Sequence, residues 1–116
     1  MKLTKFAILL AVLLMTGMVF LSTSRAQSAA KPDGEALFKG KCSMCHGPDG
    51  KGYPAIKTPD FTSPKWQASV TDQQIMDTIK NGKKGTAMMA FGNQLDDAQI
   101  EALKDYIRSL NSEKKK

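Results

Sequence analysis

Cys42-Ser43-Met44-Cys45-His46 holds both cysteines and the only histidine of the 116-residue chain. Two thiols three positions apart face the same way on one helical turn. So placed, each can add to one vinyl group of a haem, and His46, the next residue, can bind the iron through an imidazole nitrogen. Cys-x-x-Cys-His is the spacing of c-type haem attachment. One haem c bonded through Cys42 and Cys45, with His46 on the iron, is the expected cofactor. Three other readings remain. A Cys42–Cys45 disulfide is feasible in an oxidising compartment, but thioredoxin-like motifs lie in βαβ settings and no strand pattern is present. Structural zinc usually takes four Cys or His ligands, and only three exist. The third is a chance motif on a structural protein.

On the N-terminal side of the motif, Asp33 to about Lys41 reads as a helix with Asp33 as N-cap. Ala36, Leu37 and Gly40 form its stripe, with Phe38 beside it. On the other side, residues 47–65 contain Gly47, Pro48, Gly50, Gly52, Pro54, Pro59 and Pro64, too many breakers for regular structure. A loop of that length needs something to pack on, and a cofactor is the natural candidate. Thr71 to Asn81 reads as a second helix, opened by a Thr71/Gln74 capping box, faced by Ile75, Met76 and Ile79, and stopped by Gly82. Residues 83–94 are loop. Asp96 to Asn111 is the clearest helix, with Ile100, Leu103, Ile107 and Leu110 at intervals of three and four and Tyr106 beside the stripe. The expected fold class is all-α.

Haem iron has a second axial position, and no second histidine exists to fill it. Methionine is the usual partner where electron transfer is the task. Met44 lies inside the attachment turn. Met76 shares a helix face with Ile75 and Ile79, where methionine is usually core filler. Met88 and Met89 lie in a loop bracketed by Gly85 and Gly92, which can wrap the far side of a haem and offer a sulfur.

Residues 1–26 read as a secretory signal peptide: Lys2 and Lys5, then an apolar run from Phe6 to Leu21, then small residues, with a cut after Ala26 or as late as residue 30. Retention as a membrane anchor is the alternative; the run is short against the ~20 residues a spanning helix needs. The formal charge of +6 falls to +3 without Lys2, Lys5 and Arg25, and Lys114, Lys115 and Lys116 account for that remainder. The folded body is close to neutral, so the basic pI does not point to nucleic acid. Residues 27–116 would form one domain ending in a disordered lysine tail over 112–116.

The chain resembles the class I cytochrome c family, in its small bacterial single-haem form, from about residue 33 to residue 110. The attachment motif matches in spacing. Gly34 and Phe38 correspond to the family's first helix and Tyr106 to the aromatic position of its last, and in the family those helices cross near Gly34. Met88-Met89-Ala90-Phe91-Gly92 resembles the Met-Pro-x-Phe-Gly ligand loop. That resemblance puts the second axial ligand at Met88; Met89 stands where the family usually has proline, so both methionines stay in play.

The resemblance implies a cytochrome c fold, with three to five helices and long loops wrapped around one haem. It implies an electron-transfer protein rather than an enzyme: a periplasmic, monomeric carrier passing single electrons between redox partner proteins. Lys39, Lys41, Lys51, Lys83 and Lys84 are candidates to surround the haem edge and steer acidic partners; scattered solubilising lysines are the plainer account. Two other functions are open. One is a gas sensor or peroxidase-like protein, if the Met-Met pair loosens ligation. The other is an anchored cytochrome subunit of a larger redox complex that keeps residues 1–21 as a membrane segment.

Overall fold

The computed structural model describes residues 30–115. The expected signal peptide over 1–26 lies outside them. Among the described residues are five α-helices: α1 Gly34–Lys41, α2 Ser43–His46, α3 Pro64–Ser69, α4 Asp72–Asn81 and α5 Asp97–Ser109. Two 3-10 turns, Pro54–Ile56 and Ser112–Lys115, complete the set. None of the described helices is long and apolar enough to cross a membrane.

Each main helix starts where its side chains supply a cap. The Asp33 carboxylate accepts from Ala36 N at 3.1 Å. Thr71 and Gln74 form a reciprocal capping box on α4, as do Asp96 and Gln99 on α5. A cap of this kind satisfies otherwise orphaned N–H groups and is worth about 1 kcal/mol. Helix α3, which starts in the last two residues of the breaker-rich stretch 47–65 and runs on past it, was not expected. Ser63 caps it by accepting from Trp66 N, and Pro64 takes its first position, where proline needs no N–H partner.

The core gathers Phe38, Phe61, Ile75, Ile79, Leu95, Ile100, Leu103, Ile107 and Leu110. Phe38 and Leu103 are completely buried, and truncating either would cost about 3–4 kcal/mol. On α1 the buried position is Phe38; Ala36 and Gly40, expected on the stripe, are exposed. Helices α1 and α5 cross with Gly34 against the Ala102 carbonyl and the Tyr106 Cβ. Tyr106 then packs over Phe38, ring centroids 5.2 Å apart.

Polar bonds lock the short α3 to this frame. Arg108 of α5 donates through Nη1 to the Gln67 carbonyl at 2.7 Å and through Nη2 to the Val70 carbonyl at 2.7 Å. Those carbonyls lie at the end of α3, where no helical N–H reaches them. Arg108 Nε donates to Asp72 at the start of α4, also at 2.7 Å. One guanidinium fork thus ties three helices. The chain end, expected as a disordered tail over 112–116, opens with the 3-10 turn, and Ser112 N donates to the Thr62 carbonyl at 3.1 Å.

Candidate functional site

Cys42, Cys45 and His46 share one turn. The Cys42 carbonyl accepts from Cys45 N at 3.1 Å and from His46 N at 2.9 Å, so α2 winds directly on the residue that ends α1. Cys42 is itself held to α1 by its N–H on the Phe38 carbonyl, at 2.8 Å. Both thiols are free; Cys42 is half-buried and Cys45 exposed. Burial pushes the Cys42 thiol up to about 11, against the pull of Lys41. It therefore stays a protonated thiol at neutral pH, with little of the thiolate that chance oxidation needs.

The His46 ring lies on Phe61, centroids 4.6 Å apart and planes inclined by 21°. Burial lowers its tendency to protonate, which keeps the imidazole in the neutral form that binds metals. Its Nδ1 is buried and has no hydrogen-bond partner among the described residues. Two free thiols on the turn of a neutral imidazole that the described residues leave without a hydrogen bond suit covalent haem attachment. They do not suit a zinc cage: among the described residues no group of three or more His, Cys, Asp or Glu is placed to hold a metal ion.

The loop after the motif folds back on it. Gly52 N donates to the His46 carbonyl at 2.8 Å, and Gly52 adopts φ 73°, with a Cβ there falling 2.6 Å from the Thr58 oxygen. Only glycine fits that close return. Phe61 N then donates to the Gly50 carbonyl at 2.8 Å, which delivers the Phe61 ring beneath His46. A cofactor is the natural surface for this loop to pack on, and its own main-chain bonds already hold much of it.

Met88 comes from a different part of the chain, the loop between α4 and α5. Lys83 N donates to the Met88 carbonyl at 3.0 Å, and Thr86 Oγ1 accepts from Met88 N at 3.2 Å. Phe91 N and Gly92 N donate to the Ile79 and Lys80 carbonyls at the end of α4, at 2.9 and 3.0 Å. Gly82, at φ 73°, has its would-be Cβ 2.8 Å from the Met88 oxygen, whereas Gly85 at the loop tip has nothing within 4 Å. Met88 is half-buried, while Met89 is 62% exposed. Met44 is 87% exposed, and Met76 packs against the core.

Of the lysines expected around a haem edge, Lys39 pairs with Glu35 at 2.6 Å and Lys51 with Asp49 at 3.8 Å. Lys41, Lys83 and Lys84 have no acidic partner among the described residues, though Lys41 reaches the Gln94 amide oxygen at 3.4 Å. Sequence reasoning missed Phe61, Gln67 and Arg108 as parts of the site's support. Only the Ser63-Pro64 helix start, just after Phe61, was there to be read.

A family model described as "Cytochrome C oxidase, cbb3-type, subunit III" matches residues 29–107. The cbb3-type cytochrome c oxidase subunit FixP of Bradyrhizobium diazoefficiens is 34% identical over 94 residues, covering 81% of this chain and 31% of that protein. Cytochrome c6 of Synechococcus sp. is 35% identical over 104 residues, covering 90% of each chain. The solved structure of the KustC0563 c-type cytochrome superposes with a TM-score of 0.64 at 29% identity, covering 69% of this chain and 99% of that one. The chain spans about a third of the length of the oxidase subunits it matches.

Proposed function

This chain belongs to the class I c-type cytochrome family, and on that premise we propose that it is a periplasmic carrier of single electrons between redox partner proteins. Cys42 and Cys45 would hold one haem covalently, and His46 and Met88 would bind its iron. The observation that carries the reading is the Cys42–His46 turn itself, where two free thiols and a neutral imidazole share five residues. Haem bound there supplies a one-electron iron couple. Phe61 backs the imidazole. Bonds at the Met88 N–H and carbonyl hold the residue in a loop that Phe91 and Gly92 pin to α4. A thioether on the iron would raise the reduction potential, and His46 and Met88 together would keep oxygen and peroxide from binding.

The reduced, exported protein should show a sharp low-spin c-type spectrum that carbon monoxide does not move. A large carbon monoxide shift would favour the sensor or peroxidase-like function. No haem absorption, from a host that attaches haem to such motifs, would overturn the reading.

The match to oxidase subunit III favours a second reading, in which the chain is a haem-bearing subunit held at the membrane by residues 1–21. Cell fractionation separates the two. A soluble periplasmic protein with residues 1–26 removed supports the carrier, and an intact chain in the membrane fraction supports the subunit.

A further inference from the structure

A metal-bound histidine usually has its ring orientation set by a hydrogen bond from its other nitrogen to a carbonyl or carboxylate. His46 has no such partner for Nδ1 among the described residues. What it has is a ring neighbour, Phe61, stacked at 4.6 Å and 21°. Phe61 is held from several sides. Trp66 packs on it at a centroid distance of 4.6 Å and Phe38 meets it edge-on at 6.2 Å. Its N–H is bonded to Gly50, and its carbonyl accepts from Gln67 Nε2 at 2.7 Å.

Gln67 is a polar side chain buried to 7% exposure. Its Nε2 also donates to the Ile107 carbonyl of α5 at 2.9 Å, and its Oε1 accepts from Arg108 Nη1 at 3.0 Å. Both amide N–H groups and the amide oxygen are therefore engaged. A buried polar group satisfied this completely defines one arrangement and penalises others. A continuous set of contacts runs from α5 through Gln67 and Phe61 to the imidazole.

We propose that Phe61 and Gln67 are positioning residues for His46: Gln67 fixes where Phe61 lies, and the Phe61 ring fixes the rotation of the imidazole plane. This rests on the reading of His46 as an iron ligand. In a low-spin ferric haem the imidazole plane, together with the orientation of the other ligand, sets how unpaired spin spreads over the porphyrin, and Phe61 and Gln67 act on the imidazole side. The proton NMR shifts of the four haem methyl groups report that spread, independently of electron-transfer activity.

The test uses the full haem-loaded chain in its oxidised state. Phe61→Leu keeps an apolar side chain but removes the stacked ring. It should keep the low-spin spectrum and change the order or spread of the methyl shifts. Gln67→Leu should move the same resonances in the same sense by a smaller amount. Thr71→Ala, which removes a cap on α4 and touches neither Phe61 nor His46, controls for lost stability and should leave the pattern as in the parent protein. Methyl shifts in Phe61→Leu that match the parent would overturn the proposal even if the variant melts earlier. Should Gln67→Leu fail to fold, Phe61→Leu still decides. A parent protein without haem would instead overturn the functional reading on which the proposal stands.

Discussion

Gly34 of α1 lies so close to the Ala102 carbonyl of α5 that a Cβ at position 34 would collide with it, while also coming within 3.1 Å of the Tyr106 Cβ. The obstacle is main chain, which cannot swing aside as a flexible side chain would. Because Tyr106 also lies over the fully buried Phe38, the crossing and the core are set by the same few atoms.

Gly34→Ala should therefore force α1 off α5. Overpacking of this kind costs about 3 kcal/mol, and loss of the Tyr106–Phe38 contact would add to it. Denaturant unfolding of the haem-loaded protein should show that drop. The same change at Gly40, where an added Cβ would meet nothing within 4 Å, should be neutral or slightly stabilising, since alanine favours helix over glycine. Equal stabilities for the two variants would refute the close crossing.

The two methionines of the ligand loop should behave differently. Met88 donates its N–H to the Thr86 hydroxyl and accepts from Lys83 N at its carbonyl, while Met89 turns to solvent. Met88→Ala should abolish the low-spin methionine-ligated spectrum and let carbon monoxide bind the reduced protein. Met89→Ala should leave both unchanged. The reverse pattern would assign the ligand to Met89.

Arg108 should matter more than its ion pair suggests. It donates to two main-chain carbonyls at the end of α3, to Gln67 Oε1 and to Asp72. Hydrogen bonds from a charged donor are each worth about 1.5–3 kcal/mol, and removing the donor strands the carbonyls. Arg108→Lys should cost about 2 kcal/mol, because an ammonium cannot reproduce the fork. Asp72→Asn should cost under about 1 kcal/mol, since that carboxylate is largely exposed. Comparable losses in the two variants, by thermal unfolding, would show that the ion pair dominates.

A hydrogen bond from Lys104, and then one from Lys31, hold the Asp105 carboxyl below the usual carboxylate range. The folded-state value is depressed. The stabilisation is therefore present above the unfolded value of about 3.9 and lost as pH falls through the lower folded value. The pairs are largely exposed on the Asp105 and Lys31 sides, at 42% and 74%, so the effect is small and salt-screened. Asp105→Asn should flatten the acid limb of stability below about pH 4 in low salt and make no difference in high salt. An unchanged acid limb in low salt would show that the two lysines do not act on stability.

The residues that name the chemistry were readable because they are rare and adjacent: both cysteines and the histidine sit within five positions. The starts of α1, α4 and α5 were readable because Asp33, Thr71/Gln74 and Asp96/Gln99 cap them locally. Helix α3 was hidden because Pro64 reads as a breaker, yet proline after a Ser63 cap is a start signal. The burial of Phe38 in place of Ala36 and Gly40 was hidden because which face of α1 turns inward depends on where α5 crosses it. Gln67 was invisible for the same reason: its partners Ile107 and Arg108 lie some forty residues away. Local signals reveal caps and motifs, while bonds between distant segments leave little trace in either segment alone.

The bonds from Phe91 and Gly92 to the end of α4 divide the methionine loop into a base welded to the helix and a tip bonded only to itself. Main chain crowds Gly82, whereas a Cβ added at Gly85 would meet nothing within 4 Å. Inserted sequence should accordingly be tolerated at the tip and not at the base. An electrode linker or fluorescent tag grafted between Lys84 and Gly85 would attach a few residues from Met88 while leaving the Phe91 and Gly92 bonds to α4 in place, a convenient wiring point for a bioelectronic device.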